Sequence, residues 1–207
     1  MRILIILAIF LSIYNLKAQV GIGTTTPKAM LDINAETDLP ALELNPQDTP
    51  TGSVTGQLAV IGDRLFLYDQ DRSKWLSVET TLLNFGRESG NNNVFLEYVG
   101  DIQTLGPQMP QAGTIVYVSI NSSGGKADKK LELYINNTMV ANNDPATADA
   151  ISIDGELQLS SNTFRTTRYN VDFNANDFIR VRVADDGGGA SVRTDNITAL
   201  LWVKWRN

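Results

Sequence analysis

The stretch NITALLWVKWR, residues 196–206, carries apolar side chains on both faces of a predicted β-strand. Successive side chains of a strand point to opposite faces, and one face is apolar throughout: Ile197, Ala199, Leu201, Val203 and Trp205. The opposite face carries Leu200 and Trp202 before it becomes charged at Lys204 and Arg206. Because the solvent face of an antiparallel sheet is normally polar, Leu200 and Trp202 are predicted to contact another copy of the chain. Cover by a loop or by the N-terminal segment of the same chain is the alternative.

The same two-residue period recurs through the second half of the sequence. It is seen in residues 114–120, 131–135, 169–173 and 178–183. Turn-forming segments rich in Gly, Asn, Asp and Pro separate these runs, and apolar residues with helical spacing are almost absent after residue 18. The pattern predicts an all-β protein whose residues 85–207 form an antiparallel, jelly-roll-like sandwich head. An extended N-terminal β segment and a small hairpin unit are predicted to precede this head.

Residues 1–18 have the composition of a secretory signal peptide. Met1 and Arg2 form a short positive start, residues 3–14 are an apolar run, and Ala18 is the small residue before the predicted cleavage. The apolar run is shorter than the roughly 20 residues that a membrane span needs, although a short transmembrane anchor is the alternative. We therefore expect a secreted or cell-surface protein, cleaved near Ala18, that has no transmembrane anchor.

Residues 19–50 are predicted to be an extended, fibre-like segment, because glycine, threonine and proline dominate its start. An isolated short strand is not stable in water. We therefore expect the segment to pair with its own head, with two sister chains or with the next subunit, and a poorly ordered N-terminal tail is the alternative. The candidate self-assembly residues are its exposed apolar side chains: Val20, Ile22, Met30, Leu31 and Ile33.

Residues 51–84 are predicted to be the small hairpin unit. Two apolar runs, residues 56–61 and 64–68, flank a Gly62-Asp63 pair, which is a typical two-residue hairpin turn. A third run, residues 74–78, supplies another strand and contains Trp75.

Composition excludes several classes of function. The chain has no cysteine and no histidine, so disulfides, thiolate or imidazole metal sites and Ser-His-Asp or Cys-His catalysis are absent. Its 23 acidic and 17 basic side chains give a net charge of −6, which disfavours nucleic acid as a partner. A glycosidase needs only two carboxylates, but nothing in the sequence selects such a pair. We expect no catalytic residue, no enzymatic activity and no cofactor.

The motif V-G-I-G-T-T-T-P, residues 20–27, followed by A-M-L-D-I, residues 29–33, resembles the start of secreted tail-fibre-like proteins of Bacteroidota-type bacteria. The L-Y-D of residues 67–69 and the W-L-S of residues 75–77 resemble a unit common in that group. The run NVDFNAND, residues 170–177, and the closing WVKW are similar to jelly-roll heads of the C1q- and tumour-necrosis-factor-like kind. The resemblance implies a homotrimeric fibre subunit with an adhesion role, whose terminal strand runs near the threefold axis. Neither a self-cleaving chaperone domain nor a collagen-type repeat is visible in the sequence.

Two further groups of residues are candidate ligand sites. Trp75 could stack against a sugar ring, since an aromatic side chain with one polar edge suits ligand surfaces, and packing in a core is the alternative. Asp185 and Asp186 are candidate calcium ligands because calcium binds loop carboxylates. An ordinary turn explains the same two aspartates, and the sequence predicts no other metal site.

The sequence therefore favours a non-enzymatic structural protein, secreted or on the cell surface, that forms a fibre-like or filamentous appendage. Its expected partner is itself, as a homotrimer or a homopolymer, with a glycan or a host or cell-surface receptor as a second partner. A carbohydrate-binding, lectin-like module on the same β scaffold is the alternative function, because a fold does not determine function.

Overall fold

The computed structural model describes residues 20–22, 24–26, 29–33, 40–90, 94–99, 106–126, 129–140, 151–153, 162–166, 169–185 and 193–207. The predicted signal peptide, residues 1–18, lies outside them. Contacts divide the chain into two compact units, Met1–Asn45 and Pro46–Asn207. In its described part the protein is all-β, as predicted, and the described residues include no helix long and apolar enough to cross a bilayer.

The first unit contains two short strands, β1 (Val20–Ile22) and β2 (Leu31–Ile33). They pair in parallel, with Val20 opposite Leu31 and Ile22 opposite Ile33. The backbone N–H of Val20 also donates to the carbonyl of Met30 at 2.8 Å. The extended N-terminal segment is thus paired within itself, a partner that the sequence did not indicate.

The hairpin unit begins the second compact unit. Strands β3 (Leu58–Ile61), β4 (Arg64–Asp69) and β5 (Lys74–Ser77) form an antiparallel three-stranded sheet. Gly62 has a φ of 62° in the turn between β3 and β4, a conformation that glycine adopts without steric cost. A small core lies on this sheet and consists of Ala59, Ile61 and Phe66, with Trp75 packed against it.

Two antiparallel sheets form the sandwich head. Sheet I has the order β13-β9-β16-β6-β8, with β14 also paired to β9. Sheet II has the order β11-β10-β15-β7, with β12 also paired to β10. The strands of sheet I are β6 (Thr81–Gly90), β8 (Glu97–Tyr98), β9 (Gly113–Lys126), β13 (Asn162–Thr166), β14 (Val171–Phe173) and β16 (Arg193–Trp205). Those of sheet II are β7 (Val94–Phe95), β10 (Lys129–Ile135), β11 (Thr138–Val140), β12 (Ile151–Ile153) and β15 (Ile179–Asp185).

One hydrophobic core fills the space between the two sheets. Strand β16 lies at the centre of sheet I, and its five alternating residues from Ile197 to Trp205 are all buried, as the period-two pattern predicts. Leu201 lies opposite Leu83 on β6 and Val118 on β9. From sheet II, Leu133 and three residues of β15 close the same core: Ile179, Val181 and Val183. The jelly-roll-like sandwich predicted for the head is therefore confirmed.

A glycine is needed where β9 starts. Gly113 lies opposite Phe173 on β14 and Trp205 on β16. The Phe173 ring lies across the Gly113 backbone, so that a Cβ at this position would overlap the ring. Phe173 and Trp205 meet edge to face with ring centroids 6.3 Å apart. The two aromatic rings thus pack together at this end of the core, and the Phe173 ring covers Gly113.

Candidate assembly surface

An apolar row crosses the outer face of sheet I. Trp202 on β16 lies between Leu82 on β6 and Tyr117 on β9 in the strand register. Leu82 is 53% exposed and Trp202 is 46% exposed. The Tyr117 and Trp202 rings stack at a tilt of 31° with centroids 4.5 Å apart. Trp202 is therefore held in place by a neighbouring ring, while a large part of it faces outward.

Two uncharged rows follow the apolar row along the same face. Leu200 lies between Asn84 and Ser119, and Thr198 lies between Gly86 and Asn121. We call these three rows the uncharged face: Leu82, Asn84, Gly86, Tyr117, Ser119, Asn121, Thr198, Leu200 and Trp202. None of them is charged, although the chain has 17 basic and 23 acidic side chains.

A depression of about 880 Å³ lies at the end of the uncharged face away from the hairpin unit. Gly86 is part of its lining. Asn84 and Thr198 also line it, and charged residues lie around them: Arg87, Glu88 and Glu97. Arg87 donates to the carbonyl of Phe95 at 3.3 Å. The uncharged face thus ends at a charged border.

The hairpin unit closes the other end of the uncharged face. The next row along the sheet is Lys204, Thr114 and Asp172, and Lys204 Nζ donates to the carbonyl of Ser77 on β5 at 3.1 Å. The backbone N–H of Trp205 donates to Ser77 Oγ at 2.9 Å. The uncharged face is therefore bounded on one side by the hairpin and on the other by charges.

Arg72, in the turn between β4 and β5, connects the hairpin to the head. It donates to the carbonyls of Tyr169 and Val116 at 2.9 and 3.1 Å, and pairs with Asp69 at 2.6 Å. Val116 has no register partner on β16, because it is the extra residue of a β-bulge, which leaves backbone groups unpaired in the ladder. Arg72 thus binds a carbonyl at the bulge, where β16 provides no register partner.

Lys74 is the second connection between the hairpin and the head. Its Nζ lies 2.7 Å from Asn170 Oδ1 and 2.7 Å from Asp172 Oδ1. Burial alone would raise the pKa of Asp172, but hydrogen bonds from Lys74 and Thr114 and the charges of Lys74 and Arg206 outweigh it, and the net pKa is lowered. Asp172 is therefore held as a carboxylate between cations, which is the form that accepts hydrogen bonds.

The predicted self-assembly residues fall into two groups. In the first unit Val20, Ile22, Met30 and Leu31 are exposed, whereas Ile33 is half-buried. In the head, Trp202 is exposed and Leu200 is half-buried on the uncharged face. Their role in assembly stays a prediction. Sequence reasoning missed Leu82 and Tyr117, because only the register of β6 and β9 against β16 brings them beside Trp202.

Trp75 is a packed residue of the hairpin unit. Its ring contacts the hairpin core and meets Tyr68 edge to face with centroids 5.3 Å apart. Its indole Nε1 donates to the carbonyl of Pro50 at 2.8 Å. Trp75 also lines a depression of about 620 Å³ with polar neighbours such as Gln47 and Thr49. The indole donor is thus already used within the chain, and binding of a sugar at Trp75 stays a prediction.

The calcium candidates fall at the edge of the described chain. Asp185 is the last residue of β15, and Asp186 lies outside the described residues. Among the residues that the structure describes, no group of three or more potential ligand side chains could hold a metal ion. Calcium binding at Asp185 and Asp186 stays a prediction.

No family model matches the chain, and no curated protein matches its sequence. Among solved structures, it is similar to a chain of the cyanophage Pam1 capsid asymmetric unit, with 13% identity and a TM-score of 0.32, covering 61% of this chain and 85% of that one. It is also similar to a chain of infectious bursal disease virus, Gx strain, with 9% identity and a TM-score of 0.31, covering 77% of this chain and 37% of that one. Likeness at this level supports no inference about function, which must come from the residues of this chain.

Proposed function

We propose that this protein is a secreted, non-enzymatic structural subunit that self-associates through the uncharged face, as a homotrimer, in a fibre-like surface appendage with an adhesion role. The observation that carries the proposal is the row of Leu82, Trp202 and Tyr117 on the outer face of sheet I, opposite the face that holds the buried core of the described residues. The predicted leader, residues 1–18, and the resemblance of residues 20–33 to tail-fibre-like proteins agree with it.

A second copy of the chain is the partner that the charges favour. With a net charge of −6, two copies repel each other over most of their surface. The uncharged face is where this repulsion is weakest. The cores of protein interfaces are depleted in charge and enriched in Trp and Tyr, and such aromatic residues contribute most of the binding energy in many complexes.

The first unit supplies a second assembly element. Strands β1 and β2 are three residues each, and a two-stranded pair of this size is marginally stable alone. Their exposed apolar residues, among them Val20 and Met30, gain burial when the same segments of sister chains pack together. We assign this segment to the stalk and the sandwich to the head of the appendage.

The proposal is tested by placing charges on the apolar row. The double variant Leu82→Asp with Trp202→Glu is expected to remain folded, because both side chains are exposed, and to lose head-to-head association. Charges buried without partners at an interface are strongly unfavourable. Light scattering of the purified full chain measures the molar mass, and circular dichroism measures folding.

The matched control places the same two charges on exposed apolar residues outside the uncharged face. The variant Leu65→Asp with Met139→Glu changes β4 of the hairpin and β11 of sheet II. The control should keep the molar mass of the unmodified chain. A folded Leu82→Asp, Trp202→Glu protein with an unchanged mass would show that the uncharged face is not the interface.

Carbohydrate binding is the second candidate function. The half-exposed Trp202 ring lies one row from Asn84 and Ser119 in the strand register, and Asn84 and Thr198 line the neighbouring depression. Aromatic rings that stack on a ligand beside a few polar groups are typical of small-molecule sites. A glycan array separates the two functions: glycan binding by a monomeric chain, lost in Trp202→Ala, would favour this candidate.

A further inference from the structure

Lys74, Asn170 and Asp172 place an amine, a carboxamide and a carboxylate in mutual contact. Lys74 Nζ is 2.7 Å from Asn170 Oδ1 and 2.7 Å from Asp172 Oδ1. The acyl carbon of Asn170 is bonded to the oxygen that Lys74 contacts, so the amine lies next to an electrophilic carbon. Lysine amines act as nucleophiles toward carbonyl groups when a neighbouring base removes their proton.

Two further residues, Thr114 and Arg206, fix the position of the Asp172 carboxylate beside Lys74. Asp172 also accepts a hydrogen bond from Thr114 Oγ1 at 2.6 Å, and Arg206 Nε lies 3.6 Å from the same oxygen. The Lys74 side chain is 21% exposed and that of Asp172 is 35% exposed. The amine and the carboxylate are therefore partly shielded from water and confined to a small volume, which raises the effective concentration of reacting groups.

We propose that Lys74 and Asn170 form an intramolecular isopeptide bond, assisted by Asp172. The Asp172 carboxylate takes one proton from the Lys74 ammonium, and the free amine attacks Cγ of Asn170. A new N–C bond forms and the bond from Cγ to Nδ2 breaks, while the departing nitrogen receives the proton held by Asp172 and a second proton from Nζ. One ammonium ion leaves, the amide of Asn170 is exchanged for a secondary amide, and Asp172 ends as a carboxylate. No oxidant, metal or cofactor is required.

The bond would link the hairpin unit covalently to the head. Lys74 begins β5, while Asn170 and Asp172 lie at the start of β14 in sheet I. The two parts have separate hydrophobic cores, and the contacts of Arg72 and Lys74 between them are polar. The chain has no cysteine and cannot use a disulfide here. An amide cross-link would keep the hairpin attached to the head.

Mass spectrometry of the purified full chain is the test. The intact mass is expected to be lower by one ammonia than the mass calculated for the same chain. A tryptic digest should lack cleavage after Lys74 and contain a branched peptide that joins Lys74 to Asn170. An intact mass without this loss, or normal cleavage after Lys74 with no branched peptide, would overturn the proposal.

Two variants exclude other sources of ammonia loss, such as cyclisation of an N-terminal glutamine or of another asparagine. Lys74→Arg keeps a cation opposite Asp172 but has no amine to transfer, so the mass loss should disappear. Persistence of the loss in Lys74→Arg would assign it to another residue. Asp172→Asn should abolish or strongly slow the cross-link, and unchanged cross-linking would refute the role of Asp172. None of these results depends on the oligomeric state, so the proposed function is tested separately.

Discussion

Replacing Leu201 by alanine is expected to lower the free energy of unfolding by about 2–5 kcal/mol, the usual cost of a cavity in a packed core. Leu201 is fully buried between the sheets, opposite Leu83 and Val118. Both neighbours are held in sheet I by their pairing with β16 and have little room to move into the cavity. Urea denaturation followed by circular dichroism measures the change.

The neighbouring residue on the same strand is the control. Leu200 has the same side chain as Leu201 but lies on the outer face, between Asn84 and Ser119. In the Leu82→Asp, Trp202→Glu background, which is expected to be monomeric, Leu200→Ala should lower the free energy of unfolding by about 1 kcal/mol or less. The half-buried Leu200 side chain buries less apolar area than the fully buried Leu201 side chain, so less is lost on its removal. Equal decreases in the free energy of unfolding for Leu200→Ala and Leu201→Ala would contradict the alternation of core and outer faces along β16.

Arg72→Met is expected to destabilise the chain by about 1.5–3 kcal/mol, the range for hydrogen bonds to charged groups. Methionine keeps an unbranched apolar stem but donates no hydrogen bond. The carbonyls of Val116 and Tyr169 would lose the hydrogen bonds from Arg72, and Asp69 would lose its ion pair with Arg72. The unfolding transition by urea measures this, and a protease that cleaves the hairpin reports whether the hairpin detaches from the head.

Arg64→Met is the matched control in the same hairpin. Arg64 lies 4.0 Å from Asp63, whose side chain is almost fully exposed. Exposed pairs of this kind contribute about 0–1 kcal/mol, so Arg64→Met should change stability little. If Arg72→Met lowered the free energy of unfolding as little as Arg64→Met, Arg72 would not stabilise the contact between the hairpin and the head.

The sandwich was predictable because its signal is local. In β16, five alternating apolar residues from Ile197 to Trp205 specify the core face, and all five are buried. Gly62-Asp63 specified the turn of the hairpin in the same way. In each case the residues that determine the structure are neighbours in the sequence. A period of two is therefore enough to predict the core face of the strand, and a Gly-Asp pair is enough to predict the turn.

The candidate surface was only partly predictable because it depends on strand register. Trp202 and Leu200 were found from the second face of β16, but Leu82 and Tyr117 join them through pairing across three strands. Arg72 lies in a polar turn that looks solvent-exposed in the sequence, and its acceptors are 44 and 97 residues away. The parallel pairing of β1 with β2 also had no local signal, since short crossovers between parallel strands are uncommon.

The molar mass of the full chain in solution, measured by light scattering over a range of concentrations, tests self-assembly most directly. One chain including residues 1–18, the predicted leader, has a mass of 22.7 kDa. We expect a discrete species of three times the mass of one chain without its predicted leader, which the Leu82→Asp, Trp202→Glu variant converts to smaller species. A folded protein with the mass of a single chain at every concentration would contradict this expectation.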